Sequence, residues 1–266
     1  MAQEERLDFL IQALREENPV WRSKPVPQNL AAKKSFLRSL MNVRLPAPIS
    51  DEVLAVQDAY LQEETRLRGI VDPATLPRLK NHLILWQGDI TRLATDAIVN
   101  AANSELLGCF IPCHNCIDNC IHTAAGMQLR LACARLMDLQ GHSEPTGTAR
   151  ITRAWNLPCR YVLHTVGPIV NGALTDEHRR LLASCYRSCL ELARQHHLRS
   201  IAFCCISTGV FGFPADQAVA IAVATVQDYL AASRADMDVV FNVFKDADHA
   251  LYQQILQQLP QQPLKQ

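Results

Sequence analysis

The sequence lacks an excess of charge and any long hydrophobic run. Lysine plus arginine and aspartate plus glutamate both total 26, so the formal net charge is zero. The composition therefore offers no basic surface of the kind that duplex nucleic acid requires. No apolar stretch reaches the length of a membrane-spanning helix, and no internal repeat is present. These absences exclude a duplex-binding protein and a helical membrane protein.

Cysteine, in contrast, is abundant, with ten among 266 residues. Residues 1–6 are acidic and lack the apolar run of a secretory signal, so we expect a cytoplasmic protein. In that reducing compartment the cysteines are thiols, and several are available to bind a metal. Hydrophobic residues make up 48% of the chain, which is enough for a substantial core. The length allows one large domain, or one domain with an extension.

Three amphipathic patterns occupy residues 1–80. Apolar residues recur at helical spacing and predict helices over about 3–17, 28–42 and 51–67. The functional interpretation of this segment is a lid or partner surface. The simpler interpretation is a helical extension that covers one edge of a sheet.

From residue 82 onward, short apolar runs alternate with helical patterns. This alternation predicts a mostly parallel sheet covered by helices on both faces, over residues 81–258. The glutamine-rich segment 259–266 is expected to be a surface tail. Predicted strands lie at 82–87, 97–99, 148–153, 161–166, 201–206 and 239–244, and predicted helices at 121–139, 175–197, 214–233 and 246–257.

A loop rich in thiols and imidazoles follows the second of these strands. Six candidate metal ligands lie within 14 residues: Cys109, Cys113, His114, Cys116, Cys120 and His122. Cys109, His114 and Cys116 fit within one tight loop, and three ligands leave a fourth position open, as in catalytic zinc sites. The alternative is a closed all-thiolate site for structural zinc or an iron–sulfur cluster, on Cys109, Cys113, Cys116 and Cys120.

Three further motifs lie at predicted strand ends. The carboxylate of Asp89 can accept from an exocyclic amine, although Gly-Asp is also a common turn. Residues 207–212 contain two glycines and precede a helix, so they can form either a phosphate-binding nest or a plain turn. No lysine follows them as in a Walker motif. Phe244 can either stack on adenine or belong to the core.

These motifs together resemble the macrodomain family. Residues 96–104, Asp-Ala-Ile-Val-Asn-Ala-Ala-Asn-Ser, with the Leu-Leu-Gly that follows, resemble its signature. Residues 117–126 resemble the segment after the glycine-rich loop of MacroD-type members. The consecutive glycines of that loop are replaced here by residues 109–116, as in the zinc-containing branch, whose members ligate zinc by Cys, His and Cys. The resemblance covers about residues 82–258. It implies a three-layer α/β/α macrodomain with a mixed, mostly parallel sheet, beside the N-terminal helical extension.

The resemblance also implies an activity, the zinc-dependent removal of mono-ADP-ribose from modified proteins. It implies one Zn²⁺ per chain on Cys109, His114 and Cys116, which would polarise a ribose oxygen or lower the pKa of bound water. Asn103 and Asp118 would be catalytic, with Asp118 orienting or deprotonating a water. The motif His164–Pro168 is family-like and is interpreted as structural. The residues implied to contact ADP-ribose are Asp89, Ile90, Asn100, Asn103, Ser207, Thr208, Gly209, Val210, Phe211, Gly212 and Phe244.

Zinc-containing members often accompany a sirtuin-like ADP-ribosyltransferase and a lipoyl-carrier protein, so the resemblance suggests such a carrier as the substrate. Two alternatives remain open at this point. The first is a recognition module that binds ADP-ribose without cleaving it, with the metal holding the loop. The second is a redox or cluster protein built on the four cysteines.

Overall fold

The computed structural model describes residues 1–80 and 82–258, so the predicted tail 259–266 lies outside the described residues. None of the helices in this part of the chain is both long and apolar enough to cross a membrane. The helices are α1 Gln3–Glu16, α2 Pro19–Arg22, α3 Leu30–Val43, α4 Asp51–Arg68, α5 Ile117–Ala125, α6 Met127–Gln140, α7 Asp176–Gln195, α8 Ala215–Ser233 and α9 Asp246–Gln258. The strands are β1 Arg78–Lys80, β2 Leu83–Gln87, β3 Ala97–Ala102, β4 Ala149–Arg153, β5 Tyr161–Val166, β6 Ser200–Phe203 and β7 Asp238–Val243.

The strands form one seven-stranded sheet in the order β1-β2-β7-β6-β3-β5-β4. The five strands from β2 to β5 in this order are parallel, and β1 and β4 pair antiparallel at the two edges. Helices α7, α8 and α9 pack on one another beside the sheet, and α5 and α6 pack beside β3 and β4. The predicted α/β sandwich with a mixed, mostly parallel sheet is therefore confirmed. Parallel strands end at one edge of a sheet, which is where ligand sites of such folds form.

The helix predicted over 121–139 is two helices. Gly126 ends α5 with a positive φ of +96°, and α6 starts at the next residue. A Cβ on Gly126 would lie 2.7 Å from Gln57 Nε2 and 2.8 Å from Gln128 Oε1. Glycine is thus required here both by the backbone conformation and by the close approach of two side chains.

The N-terminal helices α1, α3 and α4 have a hydrophobic cluster of their own, which Met127 of α6 joins. Of these helices, α3 and α4 pack against α5. The interpretation of this segment as a cover for one sheet edge stays a prediction. Polar contacts join the two parts. Gln57 of α4 accepts from the Met127 backbone N–H (2.8 Å) and donates to Gln128 Oε1 (2.6 Å). The division of the chain near residues 80 and 258 stays a prediction.

Candidate functional site

The central strand β3 brings a buried asparagine to the site. Asn100 is fully buried and lies opposite His164 of the neighbouring strand β5. Its amide nitrogen donates to Asp118 Oδ1 (2.8 Å) and lies 3.2 Å from His164 Nδ1. Its Oδ1 atom is buried and has no hydrogen-bond partner among the described residues. Because the amide nitrogen faces the carboxyl group, the oxygen is left as an unused acceptor.

Asp118 is the second residue of α5 and is almost wholly buried. Burial raises the pKa of its carboxyl group to about 6, although the hydrogen bond from Asn100 and the charge of Arg130 act in the opposite direction. Asn103, just beyond β3, places its Nδ2 atom 3.4 Å from Asp118 Oδ2 and 3.2 Å from the Gly108 carbonyl. Two amides thus hold a carboxyl group that titrates close to neutral pH, which is a property of general bases.

His122 lies one helical turn after this carboxyl group. Its Nε2 atom is 3.5 Å from Asp118 Oδ1. Burial holds the pKa of His122 well below its usual value, so the ring is neutral. Neither ring nitrogen has a hydrogen-bond partner among the residues described. The sequence offered His122 as one of six candidate metal ligands, and the structure places it beside Asp118 instead.

Three of the six candidate ligands converge. The ligand atoms of Cys109, His114 and Cys116 all lie within 4.8 Å of one another, and Cys109 Sγ is 3.6 Å from His114 Nδ1. Cys116 also caps α5, because its Sγ atom accepts from the Asn119 N–H (3.4 Å). Burial, and to a smaller extent the neighbouring thiol of Cys109, raises the pKa of Cys116 to about 12. Two thiols and an imidazole this close together are a donor set that suits a divalent zinc ion.

The other two cysteines of the loop face α3. Cys113 Sγ lies 3.2 Å from Ser39 Oγ and donates to the Ser35 carbonyl (3.2 Å). Cys120 Sγ accepts from Arg38 at 3.6 Å. The structure therefore groups Cys109 and Cys116 with His114, and it does not assemble the four-cysteine alternative.

A second group of potential ligands, His122, Cys133 and His164, lies deeper in the domain with its ligand atoms within 4.8 Å of one another. His164 Nδ1 faces the Asn100 amide nitrogen, and its Nε2 atom is 2.9 Å from Thr152 Oγ1. Both nitrogens of His164 are thus hydrogen-bonded within the protein. This histidine holds the amide of Asn100 in place, which agrees with the structural interpretation of its motif.

The loop after β6 exposes a row of backbone N–H groups. Ser207 and Gly212 have positive φ angles of +64° and +68°. Hydrogen bonds from Gly212 N to Gly209 O (3.1 Å) and from Phe213 N to Ser207 O (3.0 Å) close the loop. The N–H groups of residues 208–211 donate to no other residue in the described part of the chain. With α8 starting directly after the loop, this arrangement suits an anionic group.

The chain after β5 supports this loop. Val170 N donates to Phe211 O (2.8 Å). Gly167 packs so closely on the loop that a Cβ there would overlap the Ser207 hydroxyl and lie 2.8 Å from Ile206 Cγ2. The Ser207 hydroxyl itself is buried and has no hydrogen-bond partner among the described residues. Glycine at position 167 thus allows the two loops to touch.

The remaining predicted residues lie at the ends of β2 and β7. Asp89 Oδ1 accepts from the N–H and hydroxyl of Thr91, and Asp89 Oδ2 accepts from Arg68 of α4 (3.0 Å). Ile90 is 1% exposed and belongs to the hydrophobic core, so its contact with a ligand stays a prediction. Phe244 is 77% exposed, which shows that the core interpretation of this side chain was wrong. An exposed phenyl ring and a partly exposed carboxylate that follow the paired strands β7 and β2 are groups that can contact a purine.

Two residues near the metal-ligand group were not predicted. Arg38 of α3 reaches the His114 carbonyl (2.7 Å), and Asn119 of α5 reaches the Cys109 carbonyl (3.2 Å). Arg38 precedes His114 by 76 residues, and no sequence pattern connects the two. Asn119 directly follows Asp118, so its position in the motif was the only available signal.

The comparisons with known proteins agree with this geometry. The family model described as Macro domain matches residues 99–222. A protein of Treponema medium, described as Protein-ADP-ribose hydrolase, is 56% identical over 260 residues, which cover 96% of this chain and 100% of that protein. A protein of Staphylococcus aureus strain MSSA476 with the same description is 48% identical over 94% of each chain. The Oceanobacillus iheyensis macrodomain solved with ADP has a TM-score of 0.61 at 40% identity, covering 68% of this chain and 93% of that one.

Proposed function

We propose that this chain, which belongs to the macrodomain family, hydrolyses the bond between mono-ADP-ribose and a modified protein. The observation that carries the proposal is the Asp118 carboxyl group, which is buried, has a pKa of about 6 and is held by Asn100 and Asn103 at the end of the central strand. The protein-ADP-ribose hydrolases that are 56% and 48% identical over nearly the whole chain support it.

The ligand would lie across the carboxyl ends of the parallel strands. Adenine would meet the Asp89 carboxylate and stack on Phe244, and the free N–H groups of 208–211 would receive the diphosphate. The distal ribose would then reach the buried Asn100 Oδ1 atom, which still lacks a donor. The residues proposed to contact ADP-ribose are Asp89, Ile90, Asn100, Asn103, Ser207, Thr208, Gly209, Val210, Phe211, Gly212 and Phe244.

Asp118 would act as the base. With a pKa of about 6 it is mostly ionised at neutral pH, so it can take a proton from a water molecule. The oxygen of that water forms a bond to the anomeric carbon of the distal ribose, and the bond to the protein side chain breaks with its electron pair leaving on the side chain. Asn103 would orient the ribose through its amide while it holds the Asp118 carboxyl group.

We also propose one Zn²⁺, held by Cys109, His114 and Cys116. Zinc bonds of about 2.3 Å to sulfur and about 2.0–2.1 Å to nitrogen give a tetrahedral S···N separation of about 3.5–3.6 Å. The Cys109 Sγ and His114 Nδ1 atoms are 3.6 Å apart, so the donor set fits the ion. When bound, the ion supplies Lewis-acid chemistry that polarises an oxygen placed beside it. The thiols of this loop must be ionised to bind it, so zinc uptake would release protons.

The protein that carries the ADP-ribose is a finer part of the proposal. The resemblance to the zinc-containing branch suggests a lipoyl-carrier protein modified by a sirtuin-like transferase, in the cytoplasm. The ten cysteines, none of which forms a disulfide, agree with such a reducing compartment. Faster release from a modified lipoyl carrier than from an unrelated modified protein would support this choice of substrate.

The test compares release of ADP-ribose from a mono-ADP-ribosylated protein by the native chain and by Asp118→Asn, Cys116→Ser and the surface control Asp228→Asn. We expect release by the native chain and the control, and at least about a hundredfold slower release by Asp118→Asn. Calorimetric titration with free ADP-ribose shows whether each variant still binds the product. If no form releases ADP-ribose although all bind it, the protein is a recognition module. Cys116→Ser should lose activity if zinc takes part in the reaction. Full activity of this variant would contradict the role of zinc but not the role of Asp118.

A further inference from the structure

The buried amide of Asn119 holds the loop 108–116, which carries the proposed zinc ligands. Asn119 is fully buried, and its Nδ2 atom donates to the carbonyls of Cys109 (3.2 Å) and Ile111 (3.0 Å). Its backbone N–H donates to Cys116 Sγ (3.4 Å). A single residue thus fixes the backbone of one proposed ligand and the sulfur of another.

The amide of Asn119 is in turn fixed by the N-terminal extension. Arg38 of α3 donates to Asn119 Oδ1 from two nitrogens, at 2.9 Å and 3.3 Å. The same guanidinium donates to the His114 carbonyl (2.7 Å) and to Cys120 Sγ (3.6 Å). The planar guanidinium has five N–H donors in a rigid arrangement, so it can hold several acceptors in place at once. Through Asn119 and through its own contact to His114, Arg38 bears on all three of Cys109, His114 and Cys116.

Other contacts from α3 bind the same loop. Asn42 Oδ1 accepts from the Cys113 N–H (2.9 Å), and Asn42 Nδ2 donates to Thr123 Oγ1 (2.9 Å). Cys113 has a positive φ of +53°, a conformation that costs energy in a residue other than glycine. The helix α3 therefore contacts the loop at a residue whose backbone is strained.

We infer that Arg38 is a positioning residue of the metal site, so that the N-terminal extension sets the affinity of the protein for zinc. This inference rests on the metal assignment within the proposed function. Residues that orient metal ligands from outside commonly change metal affinity by about ten- to a hundredfold when they are removed. If the N-terminal extension were only a cover for the domain, the loss of Arg38 would affect folding and leave the affinity for zinc unchanged.

The test measures the zinc dissociation constant of the full chain by competition with a chromogenic chelator. It compares native protein with Arg38→Met, which keeps an unbranched apolar side chain but removes every donor, and with Arg38→Lys, which keeps one charged donor group. The matched control is Arg66→Met on α4, because Arg66 is exposed and its ion pair with Glu63 lies away from the loop. Melting temperatures of the metal-free forms report folding, and the absorption bands of the Co²⁺-loaded forms report the ligand geometry.

We expect Arg38→Met to weaken zinc binding about ten- to a hundredfold and to alter the Co²⁺ absorption bands. The zinc dissociation constant of Arg38→Lys should lie between those of Arg38→Met and the native protein. Arg66→Met should match the native protein. An unchanged zinc dissociation constant in Arg38→Met overturns the inference, even if its metal-free form melts earlier. If Arg38→Met does not fold, the constant of Arg38→Lys decides in the same way. A native chain that takes up no zinc overturns both this inference and the metal assignment, whereas the proposed hydrolysis is then judged by the release assay.

Discussion

Replacing Gly167 with alanine tests how the loop 207–212 is supported. The new Cβ would overlap the Ser207 hydroxyl and lie 2.8 Å from Ile206 Cγ2, where carbon atoms prefer a separation of about 3.5–4.0 Å. Ile206 and Ser207 are 0% and 4% exposed, so neither has free space to move into. The backbone of the loop must therefore shift.

Overpacking of this kind costs about 1–3 kcal/mol. For a chain of this size each kcal/mol lowers the melting temperature by about 2–4 °C, so we expect a fall of about 2–12 °C. Because the N–H groups of 208–211 move with the loop, we also expect weaker binding of ADP-ribose. A loss of about 1.4 kcal/mol in the free energy of binding corresponds to a tenfold weaker affinity.

The assay is calorimetric titration with ADP-ribose together with thermal melting, on the native protein, Gly167→Ala, Ser207→Ala and the double variant. Ser207→Ala removes the hydroxyl that the new Cβ would overlap. The double variant should therefore recover part of the loss, with a coupling energy of at least about 0.5 kcal/mol. Native affinity and native melting temperature in Gly167→Ala would refute the reasoning, and an absence of coupling would refute the assigned contact.

Three other changes have outcomes that follow from the structure. Phe244→Ala should leave the melting temperature within about 2 °C, because the ring is 77% exposed, and should weaken ADP-ribose binding about fivefold if the ring stacks on adenine. Burial holds the pKa of His164 at about 4, below the value of about 6.5 in an unfolded chain, so the unfolded state binds more protons and stability falls as the pH drops from 6.5 to 4. This loss reaches about 3 kcal/mol, and urea unfolding of His164→Gln should show a smaller dependence on pH. Gly126→Ala should lower the melting temperature more than Gly141→Ala, because both glycines have positive φ but only the first would contact neighbouring side chains; equal losses in the two variants would contradict this account.

The strands could be predicted because buried parallel strands are continuous apolar runs. The run 201–206 marks β6, but the strand ends at Phe203 and the chain turns while Cys204 and Ile206 remain buried. In the sequence, a buried residue that lies beyond the end of a strand looks the same as a buried residue within it. The edge strand β1 was missed for the opposite reason, since its three residues are polar or exposed.

Local chemistry explains a missed helix. Asn18-Pro19 follows the first helix, which was predicted over about 3–17 and ends at Glu16 in the structure. The same pair also starts α2, because the Asn18 side chain accepts from Val20 N–H and proline suits the first helical position. One signal thus marks two boundaries, and the sequence does not distinguish them.

The site was predicted as a set of residue types and not as a geometry. Six thiols and imidazoles in one loop indicated a metal, but only the fold shows that Cys109, His114 and Cys116 converge while Cys113 turns toward α3. Asn100 and Asp118, which the family resemblance implied for one site, are joined in the structure by a hydrogen bond of 2.8 Å. The contribution of His164 depends on strand register, which sets it opposite Asn100.

The interlocked polar side chains between extension and sheet domain have a consequence for the order in which the protein forms. Gln57 finds its partners Met127 and Gln128 only 70 and 71 residues later in the chain. During synthesis the first four helices emerge before these partners exist, so the side chain of Gln57 stays in water until α6 has been made. Burying it earlier would cost about 1–3 kcal/mol for each unsatisfied polar group. The extension is thus completed by the domain that follows it, and the two should unfold together in a single cooperative transition.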